Sequence, residues 1–357
     1  MKRWRVIVVG LNHYHVTGWV ESLGALADRV DVVGRCDPDP ARAPAPGPDA
    51  VDPSLAPAFP AWFAALPFDT DLDAAIDRHR PDVALIALPN AHAPAAIETC
   101  ARKGVHVLVD KPGARTAAEA RRAFGLARDA GVRVAVGLTR RYGRGWQEVA
   151  TLRESGRLGR LHSTEAIFVT SSVDVRGAGN TIFRRSEMGG GVLHWLGVHE
   201  IDALLWLTGQ RIVEVQAMTA TSGTSAIDVE DVVSASVRYE SGAIGTLHAA
   251  YALPAPDGVG HVGLRGTRGS VTVLPNGNWA FTGGDDLLDP VVGQQVTYDL
   301  APATGYGAIG VVIIDDLLRA IEEDRPPLAT GEQVTDALRV IDAIYASATT
   351  GQRTPVR

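Results

Sequence analysis

Short apolar runs alternate with helix-period segments through the first third of the chain. Arg5–Val9 reads as a strand, Val16–Ala27 as an amphipathic helix and Asp31–Arg35 as a second strand. Prolines between Pro38 and Pro60 withhold too many amide donors for a long helix, so a surface loop is expected there. Asp71–His79 reads as a helix, Asp82–Pro89 as a strand, and Pro94–Lys103 as a helix whose proline sits in the tolerant first turn. Val105–Val109 is the next strand. Thr116 then opens a helix to Ala130 with Glu119 three residues on, a capping-box spacing, and Val132–Gly137 closes the series. Strands that are apolar throughout, each followed by a helix, predict a parallel sheet covered on both faces.

Beyond Tyr142 the pattern changes. Trp146–Ser155 reads as a helix, Leu161–Thr170 as a strand and residues 189–208 as one long helix. Alternating runs follow at Val213–Thr219, Asp231–Tyr239, Ala243–Leu253, His261–Arg265 and Ser270–Leu274, separated by Gly-containing turns. Helices at Ile309–Glu323 and Glu332–Thr349 end the chain. The predicted fold class is therefore α/β: an N-terminal Rossmann, doubly wound parallel sheet, and a C-terminal α+β domain with a largely antiparallel open sheet. Boundaries are expected at 1–140 and 141–357, with the C-terminal helices free to pack back on the first domain.

Composition narrows the function classes. A net charge of -7 and the absence of a dense Lys/Arg run argue against a nucleic-acid surface. No apolar run approaches the roughly 20 residues that span a bilayer. The strand-like "WRVIVVG" follows Met1-Lys2-Arg3 directly, so no signal peptide is expected, and a cytoplasmic location is. Cys36 and Cys100 offer no disulfide framework and read as inert buried thiols.

Candidate chemistry begins at "VVGLNHYHVTGW". A G-x-G-x-x-G nucleotide fingerprint would need glycine where Asn12 and His15 stand; only Gly10 remains. Asn12 tolerates left-handed backbone and carries an amide donor, and the helix N-terminus remains available to a phosphate, with His13 and His15 beside it. Asp37, just after the second strand, is placed to accept ribose hydroxyls and to repel a 2′-phosphate, which favours NAD; its other reading is a turn cap in "DPDP". Arg35 nearby keeps NADP open. Lys111, in "HVLVDKPGA", stands at a strand tip where open α/β sheets bind ligands, and a lysine there can relay a proton; a solvated surface lysine is the other reading. Gly189-Gly190-Gly191 suggests a loop able to approach a ligand, followed by Trp195 and His199 one turn apart and Asp202 at i+3 from His199. His13-x-His15, with His92 as a third donor, has a metal-like spacing, but no metal is expected there.

Together these segments resemble the Gfo/Idh/MocA oxidoreductase family nearly end to end: "VVGLNHYH", "RCDPD", "ALPNAH", "HVLVDKPGA", "GLTRRYG", "SGRLGRLHS", "GGGVLHWLGVHEID" and "IDDLLRAIEEDRPP…ALRVIDAIYAS". The resemblance implies a nicotinamide cofactor, NAD with NADP open, and a sugar, inositol or similar polyol substrate. The family's Glu-Lys-Pro maps to Asp110, Lys111 and Pro112, making Lys111 the catalytic lysine and placing Asp110 on the cofactor side. Its Asp-x-x-x-His maps to Trp195 through His199: the histidine is present and the aspartate is replaced. Pro89 and Asn90 match the loop beside the nicotinamide ribose, and Arg141 and Tyr142 match residues near the substrate. Trp195 is then expected to stack on a sugar face and His194 to add a polar contact, with specificity in the loop Ser171–Glu187. The implied function is hydride transfer between the nicotinamide and a secondary hydroxyl or ketone. Two alternatives are a cofactor-recycling enzyme that cleaves or eliminates a glycoside, and a non-catalytic nucleotide or sugar sensor. A homodimer or homotetramer is expected by the same resemblance.

Overall fold

The computed structural model describes residues 2–13, 15–45, 58–222, 227–254, 258–284, 292–297 and 306–357. The expected proline-rich loop falls partly at 46–57, outside the described residues. The chain forms two compact units, neither continuous in sequence. The first holds Met1–Thr139, Gly179–Gly189 and Pro302–Thr335; the second holds Arg140–Ala178, Gly190–Ala301 and Asp336–Arg357.

In the first unit, β1 (Trp4–Val9), β2 (Val30–Cys36), β3 (Phe68–Asp69), β4 (Val83–Ile86), β5 (His106–Val109) and β6 (Val134–Val136) form a parallel sheet in the order β3-β2-β1-β4-β5-β6. The order reverses direction between β1 and β4, the switch point beside which such sheets bind ligands at their C-terminal ends. Ile7, Val8, Leu85, Ile86, Val107 and Leu108 are all buried, as strands covered on both faces require. The two-residue β3 is too short to leave a period in the sequence. Helix α1 (Val16–Ala25) follows β1, and the helix Gly307–Glu322 packs on it. Ser22 Oγ donates to the Gly307 carbonyl at 3.0 Å, and Arg29 pairs with Asp315 and Glu322. Thr116 caps the helix Ala117–Asp129 by accepting from Glu119 N–H at 3.2 Å, while the Glu119 carboxylate accepts from Arg115 N–H at 2.9 Å.

The second unit is built on a 9-stranded sheet in the order β14-β13-β12-β11-β7-β10-β9-β8-β15. In chain order its strands are β7 (Leu161–Ser171), β8 (Ile212–Ala220), β9 (Val232–Tyr239), β10 (Ile244–Leu253), β11 (Val259–Gly266), β12 (Gly269–Val273), β13 (Trp279–Gly283), β14 (Val292–Val296) and β15 (Thr354–Pro355). The β7–β10 pair is parallel and the other pairs are antiparallel. Alternation is clean on β9: Val233, Ala235, Val237 and Tyr239 are buried, whereas Ser234, Ser236 and Arg238 are exposed. The helix Val198–Thr208 packs against β7 and β11 on the buried side.

One expected element is different. Residues 189–208 do not form a single helix. Arg185–Met188 makes one turn that stops at Gly189 in left-handed backbone (φ 88°), and a π-turn over Leu193–Gly197 leads into the α-helix Val198–Thr208. The glycine run breaks the first turn, and the wider π-turn shifts the helical period. Among the described residues no helix is long and apolar enough to cross a membrane.

Candidate functional site

The first unit gathers its candidate residues along one edge of the parallel sheet. Gly10, Asn12 and His13 follow β1; Asp37 follows β2; Pro89 and Asn90 follow β4; Asp110 and Lys111 follow β5. Gly10 turns the chain with φ 89°, and a Cβ there would lie 2.5 Å from the Ala87 carbonyl oxygen, so only glycine fits. The next amide, Leu11 N–H, donates to Asp37 Oδ2 at 2.7 Å, and Asp39 N–H donates to Oδ1 at 2.9 Å. An ionised carboxylate offers about four acceptor positions, so Asp37 can still take two ribose hydroxyls. Its remaining acceptor positions suit the hydroxyl donors of an adenosine ribose. Arg35 is engaged with the backbone. Its guanidinium donates to the carbonyls of Ala43 (2.6 Å), Ala64 (3.0 Å), Leu66 (3.2 Å) and Arg42 (3.3 Å), where it ties the turn after β2 together.

Asn90 is buried, and its amide donates to the Met188 carbonyl at 3.0 Å. Ala91 N–H donates to Glu187 O at 2.8 Å, so the loop after β4 is fastened to the 187–188 segment. His92, weighed above as a third metal donor, pairs with Glu187 at 3.2 Å. The third member of the histidine cluster is Asp110 instead. Donor atoms of His13, His15 and Asp110 all lie within 4.8 Å of one another. Those atoms already serve hydrogen bonds: His15 N–H donates to His13 Nδ1 at 3.2 Å, and His15 Nδ1 lies 3.1 Å from Asp110 Oδ2. Lys111 is 1% exposed, and its peptide bond to Pro112 is cis. A lysine at that depth is not a solvated surface cation.

In the second unit, Arg141 and Tyr142 close the turn Thr139–Tyr142. Arg141 is buried in a forked ion pair with Asp202, its Nε 3.0–3.1 Å from the two carboxylate oxygens and Nη2 2.8 Å from Oδ1. Trp195 lies in the π-turn and is 2% exposed, whereas His199, in the first turn of the following helix, is half-buried. His194 is buried; its Nδ1 lies 3.2 Å from the Tyr345 hydroxyl, which donates to Glu230 Oε1 at 2.8 Å. Glu230 also accepts from Gly191 N–H and Leu193 N–H at 2.9–3.1 Å, capping the start of the helical stretch. Gly191 packs closely against protein: a Cβ there would lie 1.9 Å from the Glu230 carbonyl oxygen.

Residues 4–138 match the model of an oxidoreductase family with an NAD-binding Rossmann fold, and residues 146–272 match the GFO/IDH/MocA C-terminal domain. The chain belongs to the Gfo/Idh/MocA oxidoreductase family. It is similar to a myo-inositol dehydrogenase from Streptomyces leeuwenhoekii, 30% identical over 282 residues that span 76% of this chain and 79% of that one. It is also similar to 1,5-anhydro-D-fructose reductase from Ensifer adhaerens, 28% identical over 258 residues, 70% and 72% of the two chains. Among solved structures, levoglucosan dehydrogenase in complex with NADH and L-sorbose matches with a TM-score of 0.85 at 20% identity over 100% of both chains, a likeness of fold. As a Gfo/Idh/MocA member, the chain has an NAD-binding first unit.

Sequence reasoning missed Glu230 and Tyr345, which lie on the segment before β9 and on the last long helix. Neither belongs to a local motif, and only the fold brings them to His194. It also missed Trp19 and Tyr306, the further partners of Asp110.

Burial gives this family member a pH signature. His13 is pushed down to about 3 from 6.5, chiefly because burial disfavours its cation, with Asp110 opposing and Lys111 assisting. Unfolded, the same ring takes a proton below pH 6.5. Between pH 6.5 and 3 the unfolded chain therefore binds the extra proton, and stability falls as the solution is acidified, by up to about 1.4 kcal/mol per pH unit. Urea titrations at pH 7, 6, 5 and 4 are expected to show this slope, and His13→Gln is expected to flatten it. An equally steep slope in that variant assigns the loss to other groups.

Proposed function

We propose that the protein is an NAD-dependent oxidoreductase that moves a hydride between the nicotinamide and a secondary carbinol or ketone carbon of a sugar or cyclitol. The observation that carries this reading is Lys111, a buried lysine beside Asp110 at the C-terminal edge of an NAD-binding sheet. The relatives named for inositol and anhydro-sugar chemistry support the substrate class. NAD held by the first unit would supply the hydride acceptor for the carbinol C–H. Lys111 takes the hydroxyl proton as neutral amine in oxidation and returns it as ammonium in reduction. Gly10, Asn12, His13, Asp37, Pro89 and Asn90 form the cofactor-facing set. His199, with His194, Trp195 and Tyr142, forms the set the second unit offers to substrate, and Arg141 holds that unit's turn through Asp202.

The test is formation of NADH at 340 nm with a panel of inositols, aldoses and anhydro-sugars. Turnover on a member of the panel supports the reading. Product formed without net NADH supports cofactor recycling instead, and NAD binding without turnover on any polyol supports a sensor.

Asp37, and an Arg35 with four of its five N–H donors held by backbone carbonyls, favour NAD over NADP. Asp37→Ala is expected to weaken NAD binding by about 10-fold to 100-fold, the value of hydrogen bonds to a charged acceptor, and to narrow the gap to NADP. Calorimetric titration with both nucleotides checks this; an unchanged NAD affinity assigns Asp37 to the turn alone. We further place the protein in the cytoplasm, where its buried free thiols Cys36 and Cys100 suit a reducing compartment, as a homodimer or homotetramer built on the polar open face of the second sheet. Light scattering on the purified protein tests the assembly.

A further inference from the structure

Asp110 is gripped by three side chains from distant parts of the chain. Trp19 Nε1 donates to Oδ2 at 2.7 Å, His15 Nδ1 lies 3.1 and 3.2 Å from the two oxygens, and the Tyr306 hydroxyl reaches Oδ1 at 3.4 Å. The rings brace one another. Trp19 and Tyr306 stack with centroids 3.8 Å apart, and His15 meets Tyr306 edge-on at 5.0 Å. The Tyr306 hydroxyl also reaches the Gly137 carbonyl at 3.1 Å, and a Cβ at position 137 would lie 2.6 Å from that hydroxyl. Asp110, Trp19 and Tyr306 are buried, and the whole cluster belongs to the first unit.

Within that unit the titratable and charged groups facing Asp110 are few. His13 and His15 come from the turn after β1, Tyr306 from the residue preceding the helix Gly307–Glu322, and Lys111 is its neighbour in the chain. Burial beside the carboxylate raises Tyr306 well above its usual range, which keeps it a proton donor. The electrostatic pull of His15, with its hydrogen bond and with Lys111, works against burial and holds the Asp110 carboxyl below the usual carboxylate range. Lys111, 1% exposed, directly follows Asp110 in the chain, and its charge acts on that carboxylate. A bare buried carboxylate would lock the ammonium in its charged form. The Trp19 N–H and the His15 ring drain that charge and fix its position, and the Tyr306 hydroxyl shares its one proton between the carboxylate and the Gly137 carbonyl.

We propose that His15, Trp19 and Tyr306 are positioning residues for the proton-transferring lysine, acting on Lys111 through the Asp110 carboxylate. Removing a donor leaves more charge on the carboxylate and strengthens its hold on the Lys111 proton. Lys111 then becomes neutral only at higher pH. In alcohol oxidation the acid limb of the kcat profile moves to higher pH, while the plateau above it stays. This rests on the proton role of Lys111 proposed above.

The experiment is the pH dependence of kcat for NAD-linked oxidation of the best panel substrate, in the parent and three variants. Trp19→Phe deletes one N–H, His15→Gly installs the residue a nucleotide fingerprint would have, and Tyr306→Phe deletes one hydroxyl. The limb is expected to rise by about half a unit to one unit in Trp19→Phe and His15→Gly, and by less in Tyr306→Phe, whose bond is longest. At a pH well below the limb this is roughly a 3-fold to 10-fold loss of kcat. NAD affinity in Trp19→Phe and Tyr306→Phe is expected to stay at the parent's. If Trp19→Phe fails to fold, His15→Gly at the half-buried turn carries the test. A limb that stays in place in every folded variant, with the plateau lowered or not, overturns the inference. Lys111→Ala separates the two levels: if it keeps the parent's limb, the lysine's role fails. If it abolishes turnover while the donor variants keep the limb, only the positioning role fails.

Discussion

Lys111→Ala is expected to lower kcat for alcohol oxidation by about 10²-fold to 10⁴-fold, the usual worth of a positioned general base, while NAD still binds. The side chain sits 1% exposed at the tip of β5, so solvent is poorly placed to substitute for it. What remains is hydride transfer from an alkoxide that water must generate, and the residual rate is expected to climb with pH without reaching the parent's plateau. The fold is expected to hold. Asp110 keeps its bonds to Trp19, His15 and Tyr306, so removing the neighbouring cation leaves no carboxylate without donors. Single-turnover absorbance at 340 nm, with melting and NAD titration as controls, measures the loss. Parent-like turnover in a folded, NAD-binding variant overturns the assignment.

The first unit was largely legible because its signals are local. Apolar strands, helix caps such as Thr116 and Glu119, and the strand-tip lysine each lie within a dozen residues, and the structure sets them where the pattern put them. What stayed hidden depends on distance. Trp19 and Tyr306 meet Asp110 across 91 and 196 residues, so no spacing rule connects them. Arg35 kept NADP open in the sequence, and no local pattern shows that backbone carbonyls of Arg42, Ala43, Ala64 and Leu66 take four of its five N–H donors. Trp195 and His199 have helical spacing in sequence, but the π-turn between them changes the angle per residue, and one ring is buried while the other is half-exposed. The glycine run before them signals close approach, but the protein groups that come close, the Tyr345 hydroxyl at Gly190 and the Glu230 carbonyl at Gly191, are set by the fold of the second unit.

The Arg141–Asp202 pair gives the second large expectation, because burial converts a polar contact into a structural commitment. Both residues are nearly inaccessible, at 5% and 1% exposure, and three nitrogen–oxygen contacts of 2.8–3.1 Å join them. Asp202→Ala leaves a buried guanidinium without its counter-charge and is expected to cost about 3–5 kcal/mol. In a unit of this size that corresponds to a fall in melting temperature of roughly 6–20 °C. The double variant Arg141→Met/Asp202→Leu, which removes both charges and keeps the volume, is expected to recover most of the loss. Kinetics on that double variant then decide what Arg141 is for. If its only task is to hold the turn Thr139–Tyr142, KM for the polyol stays within about twofold of the parent's, well under the 1–3 kcal/mol that a lost substrate contact of this kind costs. A KM raised tenfold or more with stability restored places the guanidinium in contact with substrate, and the commitment to Asp202 is then one that substrate binding breaks.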